Sequence, residues 1–276
     1  MHLSLCTISF RHHLTSMEQI ASWAQKHHFD GIELWGIHAM NLADQPQLNA
    51  QWLDGYALSV SMISDYLPLQ GSLQQAYQKV DNLCHLAHRW GSRKLRTFAG
   101  QKASTDVGAA ERQRWTEQLH LLAERCRQHG IRLLVETHPQ TLADTTDSTL
   151  RLLKEVDHTA LAVNFDVLHI WEAGENPRES LTKLLPFVEH FHLKNILSSQ
   201  QLSVFAPSNV YSPAGNRHGM VGLFEGALDY RAFMQNLPDT VVAEASLEWF
   251  GPSVHSVLQN DSQQLQQFFK QQRLAS

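Results

Sequence analysis

The chain alternates between short apolar runs and longer segments in which apolar residues recur at helical spacing. Runs bounded by glycine or polar residues occur eight times and are typical of buried strands. They cover residues 3–9, 31–35, 59–66, 94–99, 132–138, 161–169, 190–196 and 241–249. Most are followed by a 3.6-residue stripe, such as Trp115, Leu119, Leu122, Ala123 and Cys126, or Leu73, Ala76, Tyr77, Val80, Leu83, Cys84 and Ala87.

Eight β-then-α units in 276 residues predict an α/β protein that forms a single (β/α)8 TIM barrel domain over residues 1–276. A doubly wound open sheet is the alternative, but no G-x-G-x-x-G follows the first strand. The weakest predicted helix is 41–54, which is short and contains Pro46. A long loop, 197–226, follows the seventh strand. In a barrel it would lie over the catalytic rim.

Composition restricts the classes of partner. The formal net charge is −5 and no run of Lys or Arg stands out, so we expect no nucleic-acid partner. No apolar stretch approaches the roughly 20 residues of a membrane span, and the first ten residues lack the pattern of a secretion signal. Cys6, Cys84 and Cys126 are odd in number and widely spaced, which favours reduced thiols in a cytoplasmic protein.

Four successive strands, the fifth to the eighth, carry an acid or a histidine at their C-terminal ends: Glu136, Asp166, His192 and Glu248. In a (β/α)8 barrel these ends converge at the active site. Three carboxylates and an imidazole need a cation to neutralise them in a dry site. The residues therefore predict one divalent metal ion. The oxygen-rich ligand set favours Mg²⁺ or Mn²⁺, with Co²⁺ or Zn²⁺ as alternatives.

Each of these residues taken alone has an ordinary structural interpretation. A lone strand-end Glu is usually a solvated rim residue, and a single His is weak evidence in a chain with 17. His190 shares a face with His192 but sits at the strand entrance, so we expect a structural role. Arg96 lies in an apolar strand, where either an anionic substrate or an internal pair with Glu33 or Asp65 would balance it. Glu33 could equally support a metal ligand from behind.

The four strand-end residues resemble those of the sugar-phosphate isomerase/epimerase-like barrels, a superfamily that includes xylose isomerase and endonuclease IV relatives. Longer strings narrow the resemblance to the 3-dehydroshikimate dehydratase family of petrobactin siderophore biosynthesis. The similarity covers nearly the whole chain. The strings are SLCTISFRH, GIELWG, MISDYL, KLRTFAGQK, ETHP, LHIWE, HLKNI, NVY with AGNR, GMVGLFEG and SLEWFG.

That resemblance implies a lyase that converts 3-dehydroshikimate to protocatechuate (3,4-dihydroxybenzoate) with loss of water. It implies Glu136, Asp166, His192 and Glu248 as metal ligands and a pocket formed by Tyr66, Arg96, His138, His169, Lys194 and Tyr211, with Phe250 as a wall. His138 and His169 are then the candidate base and acid, with His138 the preferred base. Arg96 and Tyr211 would hold the substrate carboxylate, and Lys194 would support an enolate oxygen. The resemblance also suggests a homodimer.

Other functions remain alternatives at this point. A sugar or sugar-phosphate isomerase or epimerase would use the same metal with a different anion clamp. A non-catalytic ligand-binding barrel would usually show a broken ligand set, whereas all four residues are present. The acidic charge disfavours a DNA-repair nuclease. The sequence leaves open the physiological metal and whether the product feeds siderophore assembly or catabolism.

Overall fold

A closed parallel barrel forms the centre of the protein. The computed structural model describes residues 1–235, 237 and 244–275. In chain order the strands of this part are β1 His2–Cys6, β2 Gly31–Trp35, β3 Ser59–Ser64, β4 Lys94–Thr97, β5 Arg132–Glu136, β6 Leu161–Asp166, β7 Val188–Leu193, β8 Asn195–Ile196, β9 Met220–Val221 and β10 Glu244–Leu247. Eight of them close in the order β1-β10-β7-β6-β5-β4-β3-β2, and β8 pairs only with β9. The predicted (β/α)8 barrel is confirmed, and the open-sheet alternative is wrong.

The helices follow the barrel strands along the chain. They are α1 Met17–Lys26, α2 Gly36–Asn41, α3 Ala50–Asp54, α4 Leu73–Arg89, α5 Ala109–Gln128, α6 Thr146–Val156, α7 Val167–Glu172, α8 Pro177–Leu184, α9 Pro207–Val210, α10 Tyr230–Met234 and α11 Val254–Ala275. The stripe predicted from Trp115 to Cys126 is the buried face of α5. No helix of the described residues has the length and hydrophobicity that a bilayer span requires.

One predicted helix and one predicted loop need correction in detail. The weak helix 41–54 is two short helices, α2 and α3, separated by a loop that contains Pro46. Proline lacks an N–H and disfavours helical backbone before it, so it separates the two. The long loop 197–226 has local structure of its own: a 3₁₀ helix at Ser199–Phe205, then α9, then β9, which pairs back onto β8.

Most predicted strands extend too far at their C-terminal ends. β3 ends at Ser64, β4 at Thr97, β5 at Glu136 and β6 at Asp166. The sixth run is corrected most, because residues 167–172 form α7, and the Asp166 carboxylate accepts a hydrogen bond from His169 N at 3.1 Å as its N-cap. In the eighth predicted strand, residues 241–243 lie outside the described residues.

The barrel interior is layered because alternate residues of each strand point inward. Met62, Leu134 and Ala162 form a small buried apolar cluster there. Nearer the C-terminal ends of the strands the inward side chains become polar, as in Asn164 of β6 and His190 of β7, and both are buried. The next inward positions after these carry the strand-end acids and His192. The larger apolar core consists mainly of residues from the strands and the surrounding helices.

Candidate active site and metal centre

Three of the four predicted metal ligands lie together at the C-terminal rim. Glu136, Asp166 and His192 end neighbouring strands β5, β6 and β7, and one ligand atom from each lies within 4.8 Å of the others. All three side chains are buried. Despite burial, the charges of Arg96 and His192 lower the pKa of Glu136, and those of His169 and Lys194 lower that of Asp166. Both carboxylates are therefore ionised at neutral pH.

His192 is oriented by a partner on the opposite side of its ring. Its Nε2 lies 2.8 Å from Glu33 Oε2, while Nδ1 faces Glu136 Oε1 at 3.5 Å and Asp166 Oδ2 at 3.9 Å. Burial opposes charge on both groups, but their attraction lowers the pKa of Glu33 and raises that of His192. Nδ1 has no hydrogen-bond partner among the described residues. A ligand nitrogen directed at two carboxylates and held from behind by a third fits a metal site.

Glu248, the fourth predicted ligand, is joined to this group by Lys194. The Lys194 ammonium lies 2.5 Å from Glu248 Oε2 and 2.7 Å from Asp166 Oδ2. Although burial favours the neutral amine, these carboxylates raise the pKa of Lys194 well above its usual value. Glu248 is thus adjacent to the three clustered ligands but outside the 4.8 Å group. The sequence had predicted Lys194 near the metal, without this ion pair.

Arg96 has a partner that the sequence did not suggest. Its Nε lies 3.0 Å from Glu136 Oε2, and both side chains are buried. The sequence had proposed Glu33 or Asp65 as its internal partner, yet Asp65 pairs with Lys79 at 2.8 Å. Pairing with Glu136 was missed because the two residues meet only when β4 and β5 align. Arg96 Nη1 has no hydrogen-bond partner among the described residues.

The side chains at this rim carry an excess of negative charge that a divalent cation would balance. Four buried carboxylates, those of Glu33, Glu136, Asp166 and Glu248, face the cations of Arg96 and Lys194. With a metal bound, His192 would be neutral, having lost the second proton that its raised pKa favours, and negative charges would then exceed positive ones by two. Buried charges need compensation, so one divalent ion held by the clustered ligands balances the site.

A second set of potential ligands, Cys6, Glu33 and His192, shares His192 with the first. Burial raises the pKa of the Cys6 thiol well above its usual value, so the thiol is neutral there. A thiolate is the form that binds metals. Glu33 and Cys6 therefore surround His192 as supporting contacts, which is the role that the sequence had allowed for Glu33.

His138 and His169 stand side by side at the edge of the site, with ring centroids 4.4 Å apart. His138 Nδ1 bonds the Pro139 carbonyl oxygen at 2.6 Å, and burial, with the nearby His169, lowers the pKa of His138 to about 3. Its ring is therefore neutral with Nδ1 protonated, which leaves an Nε2 lone pair. His169 Nδ1 lies 2.7 Å from Glu172 Oε2. Glu172 was not predicted, although its i+3 spacing from His169 would place both on one face of a helix.

The remaining predicted pocket residues line a small chamber beside the ligands. Its free volume is about 30 Å³, and its walls include Tyr66, Arg96, Lys194, Tyr211 and Phe250. A hydrogen bond from the Tyr211 hydroxyl to the Tyr66 hydroxyl links the long loop to the segment that follows β3. Outside lies a larger cavity of about 550 Å³ with which the chamber shares Tyr66, Phe98, His138, His169, Phe205, Pro207 and Tyr211. Phe98, Phe205 and Pro207 were not predicted.

The fold and this rim define a class of protein. Residues 21–272 match the xylose isomerase-like TIM barrel family, and the chain belongs to that family. Within it, the chain is 47% identical to a 3-dehydroshikimate dehydratase of Bacillus anthracis over 266 residues, which are 94% of each protein.

Solved structures agree with this placement. The crystal structure of the probable 3-DHS dehydratase AsbF, involved in petrobactin synthesis in Bacillus anthracis, superimposes with a TM-score of 0.92 at 45% identity, covering 96% of this chain and 99% of that one. The IolI protein, whose structure has a binding zinc atom, shares the fold at a TM-score of 0.73 but only 15% identity, over 99% of this chain and 98% of that one.

Proposed function

We propose that this protein is a divalent-metal-dependent 3-dehydroshikimate dehydratase that forms protocatechuate. The observation that carries the proposal is the 47% identity to a 3-dehydroshikimate dehydratase across 94% of both chains. The rim supports it chemically, because it combines a cation site, two adjacent histidines and two buried cationic side chains around one chamber. Such groups suit elimination next to a ketone on an anionic ring.

Glu136, Asp166 and His192 would hold the metal, with Glu248 completing the set. When bound, the cation would supply Lewis-acid stabilisation of negative charge on the substrate ketone oxygen. We expect Mg²⁺ or Mn²⁺ from the oxygen-rich ligands, with Co²⁺ or Zn²⁺ as alternatives. The zinc atom in the IolI structure is consistent with a divalent ion in this fold.

The two histidines would carry out the proton transfers. His138 is neutral, and its Nε2 lone pair can remove the proton from the carbon α to the ketone. The electrons of that C–H bond move onto the ketone oxygen as an enolate, and they return to form a ring double bond as the C–O bond at the β carbon breaks. His169 gives a proton to the departing hydroxyl, which leaves as water. A further proton shift, from ring carbon to ketone oxygen, makes the ring aromatic.

The other chamber residues would bind and orient the substrate. Arg96 Nη1 is unpaired among the described residues and, with Tyr211, would hold the carboxylate. The Lys194 ammonium would support the enolate oxygen, Tyr66 would contact the ring beside Tyr211, and Phe250 would form an apolar wall. The chamber shares seven lining residues with the outer cavity of about 550 Å³, from which substrate would enter.

The decisive test is activity with a single substrate. Purified protein is stripped with EDTA, supplied with individual divalent metals and mixed with 3-dehydroshikimate. We expect metal-dependent growth of the ultraviolet absorbance of protocatechuate. Ketose–aldose exchange without protocatechuate would instead support an isomerase. His138→Ala and His169→Ala then test the roles of the two histidines: near wild-type turnover in His138→Ala, with loss in His169→Ala, would contradict His138 as the base.

We also propose a cytoplasmic location, supported by three buried free thiols, and supply of product to siderophore assembly, supported by the petrobactin relative. Homodimer formation stays a prediction, which light scattering of the purified protein tests.

A further inference from the structure

The two nitrogens of His169 face different surroundings. Nδ1 lies 2.7 Å from Glu172 Oε2, whereas Nε2 lies 3.8 Å from Asp166 Oδ2 on the chamber side. The histidine side chain is 1% exposed, and that of Glu172 is 22% exposed. Both residues belong to α7, which begins directly after β6 with Asp166 as its N-cap. The helix therefore places one carboxylate in front of the imidazole and a second one behind it.

Within the part of the chain that the structure describes, no carboxylate stands behind the ring of His138. Its Nδ1 donates to the Pro139 carbonyl oxygen at 2.6 Å. A carbonyl oxygen and a carboxylate can both fix the tautomer by accepting the ring N–H. The carboxylate binds that N–H more strongly, because its hydrogen bond is charge-assisted. In hydrolases that use a Ser-His-Asp triad, the buried carboxylate behind the histidine performs this orienting task. The two adjacent rings thus differ mainly in the group behind them.

We propose that Glu172 is a positioning residue for His169. Its carboxylate accepts the Nδ1–H bond, fixes the tautomer and the ring orientation, and so directs Nε2 into the chamber. The role rests on the proposed dehydratase function, in which His169 Nε2 faces the reacting substrate. Glu172 itself touches no reacting atom and acts only through the ring. It lines the outer cavity, on the far side of His169 from the clustered ligands.

The first test separates turnover from binding. Glu172→Ala removes the acceptor and the charge, whereas Glu172→Gln keeps an oxygen acceptor. We expect kcat to fall about 10–100-fold in Glu172→Ala and less in Glu172→Gln, within the roughly 10²–10⁴-fold that acid–base assistance provides. KM should stay within about threefold of wild type. Glu179→Gln, a change at an exposed acid on α8, serves as the matched control and should leave kcat unchanged.

A double-mutant cycle tests whether Glu172 acts through His169. In a His169→Ala background, the further change Glu172→Ala should cost less than twofold in kcat, because the group that it orients is gone. Independent, multiplicative losses would overturn the proposal. So would a kcat within twofold of wild type in Glu172→Ala.

A spectroscopic measurement decides the point without turnover. Long-range ¹H–¹⁵N spectra of ¹⁵N-histidine-labelled protein report which ring nitrogen carries the proton, and the His169→Ala spectrum identifies the His169 signals. We expect a proton on Nδ1 of His169 in wild type, also when Nε2 carries the proton that the acid gives up, and a mixture or the neutral Nε2–H form in Glu172→Ala. An unchanged tautomer would overturn the proposal. If wild type lacks dehydratase activity, the proposed function fails while these spectra still decide the role of Glu172.

Discussion

Glu33 offers a direct test of how the metal site is built. Its carboxylate lies 2.8 Å from His192 Nε2, and both side chains are almost fully buried. Glu33→Ala leaves a buried N–H without its acceptor, which costs roughly 1–3 kcal/mol. Loss of a supporting partner behind a ligating histidine typically weakens metal binding 10–100-fold. That range corresponds to about 1.4–2.8 kcal/mol, at about 1.4 kcal/mol per tenfold change.

We therefore expect Glu33→Ala to raise the metal Kd about 100-fold and Glu33→Gln about 10-fold, because the glutamine oxygen still accepts the hydrogen bond. Competition with a chromogenic chelator measures Kd without relying on turnover. Ser246→Ala is the matched control. It removes the 2.7 Å hydrogen bond between Ser246 Oγ and His190 Nε2, and His190 is a buried histidine on the same strand as His192 but not a proposed ligand. Its Kd should stay within about twofold of wild type.

Two results would refute the reasoning. If Glu33→Ala and Ser246→Ala raise Kd equally, the effect comes from general loosening of the barrel interior. If Glu33→Ala leaves Kd unchanged, His192 does not depend on the carboxylate behind it. Thermal denaturation of each variant with chelator present separates loss of folding from loss of affinity.

Three further predictions concern stability. Arg96→Met strands a buried carboxylate, and urea titration with chelator present should show a loss of about 3–5 kcal/mol; an unchanged midpoint would contradict a strong ion pair. Burial raises the pKa of Asp261 to about 7. The charge of a neighbouring carboxylate adds to this rise, and the hydrogen bond from Leu223 N–H opposes it. The folded state therefore binds a proton that the unfolded state releases near pH 4. The free energy of unfolding should therefore fall as pH rises from about 4 to 7. Asp261→Asn should stabilise the protein by roughly 1–3 kcal/mol at pH 8 but not at pH 3. Equal effects at both pH values would refute this. Gly100→Ala should cost more than about 2 kcal/mol, because φ is +93° and the added Cβ would lie 2.3 Å from Trp115, whereas Gly71→Ala, at φ +89° in open space, should cost only about 1 kcal/mol. Equal losses in the two glycine variants would show that the steric clash is relieved.

Local patterns in the sequence were enough to predict the barrel. Period-2 and period-3.6 stripes are set by which face of each element is buried, and both are visible in a single chain. The same alternation placed Glu136, Asp166 and His192 at neighbouring strand ends, and the structure brings ligand atoms from all three within 4.8 Å. Strand ends were less predictable, because capping by Asp166 turns the chain into α7 where the apolar pattern alone continues.

The pairings inside the site could be decided only by the tertiary structure. Lys194 lies between two carboxylates, one of them 54 residues away, and Glu33 holds an imidazole 159 residues away. Such contacts have no periodicity. They depend on strand register and on which buried charges must neutralise one another once the barrel closes. The sequence by itself thus determined which chemical groups reach the rim, whereas barrel closure decided which group faces which, because only a closed sheet brings β2 across from β7.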